Sequence, residues 1–273
     1  MKKSIILWII AFILTVGTAI FQRLTGPTYP LKGKTVLKDF TINYSLDRSH
    51  SGDDHHVVKI KVRDENVTGV LEWKRHKTND NWRIQRMKFK DGELVGALPP
   101  QPPAGKLEYR IILTDDEYQV LIPQDKPVVI RFKGTVPNYI LIPHIFFIFL
   151  AMLFSTRAGL EYFNKEPKYN KLVYLTLIFL ILGGFIFGPL VQYFAFGALW
   201  TGFPFGYDLT DNKTLIALIG WLIAFVMMKR SSKLQRWIVA ASILMFVVFL
   251  IPHSLLGSEL DYSKLDNNIE MKK

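Results

Sequence analysis

The 273-residue sequence contains no cysteine. That excludes disulfides, thiolate-held iron–sulfur clusters and cysteine-ligated zinc. Any exported domain must then be held together by its core alone, and the long polar insert has enough residues to build one. Enzyme signatures are missing too: there is no GxSxG, no Walker A, no HExxH, and no GxGxxG followed by an acidic residue. An ATP-driven or cytoplasmic enzymatic role is not expected. No transporter-like internal repeat stands out either, apart from the tripeptide Ile-Pro-His at 142–144 and 251–253.

The most telling absence is charge. Residues 4–22, 136–156, 172–207 and 237–258 carry no Asp, Glu, Lys or Arg, and residues 214–228 form a shorter charge-free run that lengthens with its flanks. A hydrocarbon core of ~30 Å needs about 20 apolar helical residues, and unsatisfied backbone groups are not tolerated in lipid. The chain therefore reads as a multi-pass α-helical membrane protein of about five transmembrane helices. A hydrophilic domain is inserted between the first and second. The overall 49% hydrophobic and 21% charged composition averages these two unlike parts. Much of the formal charge of +11 lies beside the apolar runs. There it suits anionic lipid and the positive-inside bias, so a lipid bilayer is the expected partner and nucleic acid is not.

Lysine and arginine also set an orientation. Met1-Lys2-Lys3 keeps the N-terminus cytoplasmic and sends the insert outside. The short loops with Arg157, Lys165, Lys168 and Lys171, and with Lys229, Arg230, Lys233 and Arg236, are basic, as cytoplasmic loops should be, whereas residues 200–212 carry no basic residue. The expected organisation is an anchor helix at 1–22, an extracytoplasmic β-domain at 23–135, a four-helix membrane domain at 136–258 and an extracytoplasmic polar tail at 259–273, all in an inner membrane. Alternatively, Lys2-Lys3, the apolar run, Gly17 and Ala19 describe a cleaved signal peptide. The length of the run favours a retained anchor.

The insert has the pattern of an all-β sandwich. Strands are expected at 41–45, 56–62, 68–74, 82–89, 93–98, 107–113, 118–122 and 128–132, with turn signals between them. Ile60 and Val62 alternate with Lys59, Lys61 and Arg63. Asp91-Gly92 suits a hairpin turn, and the proline-rich stretch 99–105 cannot lie inside a sheet. The succession Trp82, Met87, Asp91-Gly92, Leu98-Pro99, Pro102, Gly105, Leu107-Glu108-Tyr109 resembles extracellular fibronectin type III and immunoglobulin-like domains over about residues 35–134. The resemblance implies a corner role for Tyr109 and a core role for Trp82 or Trp73. It implies no catalytic residue, and the missing cysteine pair points to the cysteine-free branch. The whole layout resembles a family of bacterial multi-pass membrane proteins, a likeness that implies no activity.

Candidate chemistry lies on the outer side. Ile142-Pro143-His144 and Ile251-Pro252-His253 repeat one tripeptide in the second and fifth helices. At 1.5 Å per residue His144 falls ~10 Å, and His253 roughly 6–8 Å, inside the outer helix ends. Intramembrane ionisable residues point to function by default. Two imidazoles at matching depth suit a haem, a metal ion or a shared proton; equally, each histidine can bond a carbonyl that a proline has freed, or a headgroup. Gly184 and Gly188 have helix-packing spacing, and Trp200, Phe203, Phe205 and Tyr207 suit an aromatic belt. Asp208 and Asp211 offer cation ligands that would act with Gln192 and the histidines, or else cap the fourth helix. His50, Asp53, Asp54, His55 and His56 form a further metal-capable cluster, otherwise a solvated hairpin tip.

The expectation for function is a non-catalytic membrane protein that binds or scaffolds a protein partner in an envelope complex through its outer β-domain. One alternative is a membrane haem, metal or redox subunit with His144 and His253 as cofactor ligands. A small transporter or channel accessory is another.

Overall fold

The structure, a computed structural model, describes residues 2–253, 255, 257 and 259–265. The chain divides into two compact units. The first comprises residues 1–27 and 136–258, the second residues 28–135 and 259–273.

The first unit is helical, with α1 (Lys2–Thr25), α2 (Asn138–Leu160), α3 (Tyr169–Ile181), α4 (Gly188–Phe196), α5 (Leu209–Arg230) and α6 (Leu234–Leu250). A π-helical stretch, Leu182–Phe187, joins α3 to α4. Among the described residues, four segments are long and apolar enough to cross a membrane: Lys3–Thr25, Asn138–Phe163, Tyr169–Phe196 and Leu209–Arg230. Leu234–Leu250 is apolar but shorter, at 17 residues. Ile5, Ile6, Ile9, Phe12 and Ile13 on α1, with Ile142, Ile145 and Phe146 on α2, are exposed. Outward aliphatic side chains suit a hydrocarbon solvent, whereas a water-facing helix would carry a polar face there. The interior packs Ala151, Ala158, Val173, Leu180, Ala217, Trp221, Ala224, Ile238 and Met245 into one cluster.

The long charge-free run resolves into a bent helix. Pro189 at the start of α4 lacks the amide that would continue the ladder of α3, and the backbone widens into π geometry just before it. Gly183 and Gly184, rather than Gly188, make the close contacts there: a Cβ at either would run into Ile148 of α2 or Thr214 of α5. Gly197, left-handed at φ 78°, ends α4.

The fifth expected span stops early. α6 ends at Leu250, Ile251 is extended (φ −64°, ψ 123°), and Pro252 and His253 lie beyond the helix. A residue before proline is driven out of helical geometry, so Pro252-His253 falls outside α6 whereas Pro143-His144 is embedded within α2.

The described residues of the second unit form eleven strands: β1 (Leu31–Leu37), β2 (Phe40–Leu46), β3 (Ser49–Ser51), β4 (His56–Lys61), β5 (Thr68–Arg75), β6 (Arg83–Arg86), β7 (Lys88–Lys90), β8 (Glu93–Leu98), β9 (Lys106–Asp115), β10 (Tyr118–Ile122) and β11 (Val128–Lys133). β1 and β2 form a hairpin. β3, β11, β9, β5 and β6 are successive neighbours in a second sheet, with β10 also pairing β9, and β4, β8 and β7 form a third. All pairs are antiparallel except β3 with β11. All eight expected strands have counterparts; β1 and β3 were not anticipated.

The stretch expected as one strand, 82–89, is two. β6 pairs with β5 in the large sheet and β7 with β8 in the small one. Met87 sits buried at the crossing, its amide bonded to Gly69 O at 2.8 Å. The gap is sealed by Gln85, whose side-chain oxygen accepts from Ala97 N at 3.1 Å. Leu37, Ile42, Ile60, Leu71, Leu94, Leu98, Tyr109, Ile111, Ile130 and Phe132, drawn from all three sheets, close a single core. Alternation puts them there: β9 buries Leu107, Tyr109, Ile111 and Leu113 and leaves their neighbours half-exposed.

Tyr109 is fully buried and donates from its hydroxyl to Asp47 O at 2.8 Å. Burial pushes its pKa up. Its partner lies 62 residues upstream, not the few that a tyrosine corner spans. Neither tryptophan is the centre of the core. Trp73 packs half-buried at its margin, opposite Arg83, whose guanidinium lies 5.0 Å from the ring. Trp82 is stacked under Arg110 at 4.4 Å and Lys74 at 5.3 Å. An indole over cations is comfortable at a wet surface, which removes the need for a buried slot.

Candidate functional site

In the helical unit the sequence-selected residues have defined partners. His144 is half-buried, and its Nδ1 lies 2.9 Å from Gly183 O in the π-helical stretch. A carbonyl only accepts, so Nδ1 carries the proton. His253 is exposed and lies beyond the end of α6. Asp208 caps α5: its Oδ1 accepts from Thr210 N at 2.8 Å. Asp211 Oδ2 accepts from Thr201 N at 2.7 Å, Gly202 N at 3.0 Å and Gln192 Nε2 at 3.1 Å. Asn212 Oδ1 accepts from Phe203 N at 2.7 Å. Gln192 and Asp211 thus meet, but around the backbone of the loop that precedes α5. That loop presents Phe203, Phe205 and Tyr207 outward, each at least 66% exposed.

Sequence reasoning overlooked the buried cations. Lys213 is 1% exposed; its Nζ donates to Ile251 O at 2.9 Å and lies 5.7 Å from the Phe249 ring. Gln22 of α1 donates to Phe249 O at 2.7 Å and Ile251 O at 3.0 Å. Together they satisfy carbonyls that α6 leaves open where it ends, and the positive charge suits a helix C-terminus. Arg157 is 3% exposed and pairs with Glu161 one turn on, with Trp8 under its guanidinium at 5.4 Å. Glu161 also accepts from Asn164 Nδ2 at 3.0 Å and Lys168 N at 2.9 Å, closing the turn after α2. Each group here holds a helix end or a loop in place.

The histidine cluster of the β unit turns inward. His50 lies on β3, its ring 5.5 Å from Phe132 and 5.1 Å from His56, with the two Nδ1 atoms 3.3 Å apart. His50 Nε2 faces Asp54 O and Oδ1, both at 3.1 Å. One neutral arrangement satisfies all of this: His50 donates from Nε2, and His56 donates from Nδ1 to His50 Nδ1. Burial holds His56 below the usual histidine pKa, against a raising influence from Asp47. Asp53 and His55 are exposed. The pair is a wall of the core rather than the solvated tip expected. Among the described residues, no group of three or more His, Asp or Glu side chains is arranged to hold a metal ion.

A cleft in the β unit involves residues not singled out from sequence. A space of about 610 Å³ is lined by Arg75, Lys77, Asp80, Lys106, Glu259 and Tyr262, among others. Arg75 is held by Asp80 through two bonds, Nε at 2.6 Å and Nη2 at 3.0 Å, and this holds the Asp80 carboxyl below its ordinary pKa. His76 Nδ1 bonds Glu108 at 2.8 Å. Glu259 is gripped by Lys77 at 2.6 Å and by Lys106. These lysines outweigh partial burial and hold its pKa down at about 2.

Tyr262 is the other anchor, 5% exposed, with the Arg75 guanidinium 5.0 Å from its ring. Its hydroxyl accepts from Lys106 N at 3.0 Å and lies within donating reach of Gln101 Oε1 at 3.0 Å and Lys106 O at 3.1 Å. Burial raises its pKa to about 12. Between the anchors, Leu260 N bonds Ala104 O at 3.1 Å. The proline-rich stretch supplies that carbonyl and is itself tied to β11 through Ala104 N to Phe132 O at 3.0 Å. The tail, expected as a separate polar segment, thus contributes residues 259–262 to the β unit. Its sequence signal was slight, two acidic residues, a leucine and a tyrosine in a short polar stretch. No protein-family model matches the chain, and no curated protein matches it.

Proposed function

We propose that this chain is a non-catalytic inner-membrane protein that docks a protein partner of an envelope complex through its β unit. In this reading the β unit is a sandwich of the fibronectin type III or immunoglobulin-like kind. All five apolar helical segments span the bilayer, the N-terminus is cytoplasmic, and the β unit and tail lie outside. The cleft beside Lys77 and Lys106 is the observation that carries it. It is concave, polar and built on a rigid sheet, as a recognition site should be. The helical unit supports the same reading, because its buried Lys213, Arg157, Glu161, Asp208 and Asp211 are engaged in holding helix ends and loops. The basic residues at and between the helix ends, Lys165, Lys168 and Lys171 and then Lys229, Arg230, Lys233 and Arg236, support the orientation.

The test is site-specific photo-crosslinking in intact membranes from Lys77, at the cleft, and from Lys126, exposed elsewhere on the unit. Discrete protein adducts from position 77, absent from position 126 and lost on Lys106→Glu, are expected. No adduct at 77, or the same ladder from both positions, overturns the docking reading.

A further inference from the structure

Two of the cleft's cations are paired with anions of the sheet and turn that carry them, and two are not. Arg75 has Asp80, and His76 has Glu108. Lys77 and Lys106 instead converge on Glu259, which arrives from more than 150 residues away in sequence. Withdrawing the tail therefore leaves two lysines on a rigid strand and turn facing one point. It also empties a slot for an aromatic ring beside Arg75, Gln101 and the backbone of Lys106. Between the two lies the Ala104 carbonyl, which accepts a main-chain amide. Carboxylate, amide and phenol are thus read at three fixed positions over four residues, Glu259-Leu260-Asp261-Tyr262.

The grip differs along the segment. Lys77 is 66% exposed and the Glu259 side chain 36%, so that end is wet, and exposed ion pairs hold weakly. The phenol end is dry and has a complete set of hydrogen bonds. Recognition by one buried aromatic anchor with a solvent-accessible charged clamp is how short linear segments are bound and exchanged.

We propose that this groove is a peptide-binding site for segments with a carboxylate followed three residues later by a tyrosine, and that residues 259–262 are its intramolecular occupant. A partner of the docking reading, on which this rests, presents the same chemistry in trans and displaces the tail. The tail sets the threshold for docking, because a short tether supplies an effective concentration of order mM.

The experiment uses the full chain in detergent and a labelled peptide, Gly-Ser-Glu-Leu-Asp-Tyr-Ser-Lys, matching residues 257–264. Fluorescence anisotropy should show the peptide binding a Glu259→Ala/Tyr262→Ala variant at least about tenfold more tightly than the wild type, as removal of a tethered competitor requires. Adding Lys106→Glu should abolish that gain. Equal affinity for the closed and opened chains, or binding indifferent to Lys106→Glu, overturns the proposal.

A second measurement needs no variant. At about 10 mM peptide, above the tethered concentration, hydrogen exchange at the Leu260 amide of the wild type should accelerate; unchanged exchange overturns the displacement. Failure here with position-77 crosslinks intact removes the ligand class and leaves docking standing. Loss of the crosslinks removes docking itself.

Discussion

Lys213 and Arg157 of the helical unit are 1% and 3% exposed, whereas in the β unit the Lys38 and Lys77 side chains are 39% and 66% exposed. Large aliphatic residues show the reverse: they cover the outside of α1 and α2 but fill the inside of the β unit. The difference follows from the solvent each surface suits. Hydrocarbon cannot hydrate a charge, so helices built for it turn their ionisable groups inward and use them to satisfy helix ends and loops. Water hydrates them freely, so Lys38 and Lys77 of the β unit stay at its surface, each paired there with a carboxylate.

The sharpest way to break this comparison is to strand one of the buried charges. Glu161→Ala leaves Arg157 without its carboxylate and should cost about 3–5 kcal/mol, read as a lowered thermal midpoint of the full chain in detergent. A double replacement, Arg157→Met with Glu161→Leu, should recover most of that loss. A cost below about 1 kcal/mol for Glu161→Ala is what a hydrated surface pair gives, and the contrast between the units would then fail.

Next in size is the buried phenol of the β unit. Tyr109→Phe keeps the ring and strips the donor from Asp47 O, so it should cost about 1–3 kcal/mol by denaturant titration. Tyr118→Phe, at an exposed strand position, should stay within about 0.5 kcal/mol. Equal effects would mean that the hydroxyl of Tyr109 is hydrated.

The smallest effect belongs to the rim. Glu259 carries a folded pKa of about 2 against an ordinary 4.5. A depressed carboxylate stabilises docking above its ordinary pKa and loses that contribution as pH falls through the folded value. Tail docking should therefore be constant from neutral pH down to about 5 and weaken from there toward 2. The loss should be under about 1 kcal/mol, since the pair is partly exposed. Hydrogen exchange at Leu260 follows it, and Glu259→Gln should flatten the profile.

What the sequence determined by itself was local and periodic. The charge-free runs located the apolar helices, because spanning length is a property of one contiguous segment. The alternation at 56–62 and 107–113 located β4 and β9 and chose their inner faces, because a strand's period of two is visible without its neighbours. Asp208 was legible as a cap for the same reason. Tertiary structure decided whatever depended on a distant partner. Met87 splits one apparent strand between two sheets because Gly69, far away in sequence, takes its amide. Lys213 looks like a surface residue in its own sequence and is buried only because α6 ends beside it with carbonyls to satisfy. Pro252 removed His253 from a helix that the repeated tripeptide alone had suggested. The groove that the tail occupies was the least legible of all. Its charges come from β5, from the turn after it and from β9, its carbonyl from the proline-rich stretch and its carboxylate from the far end of the chain, so no window of sequence contains it.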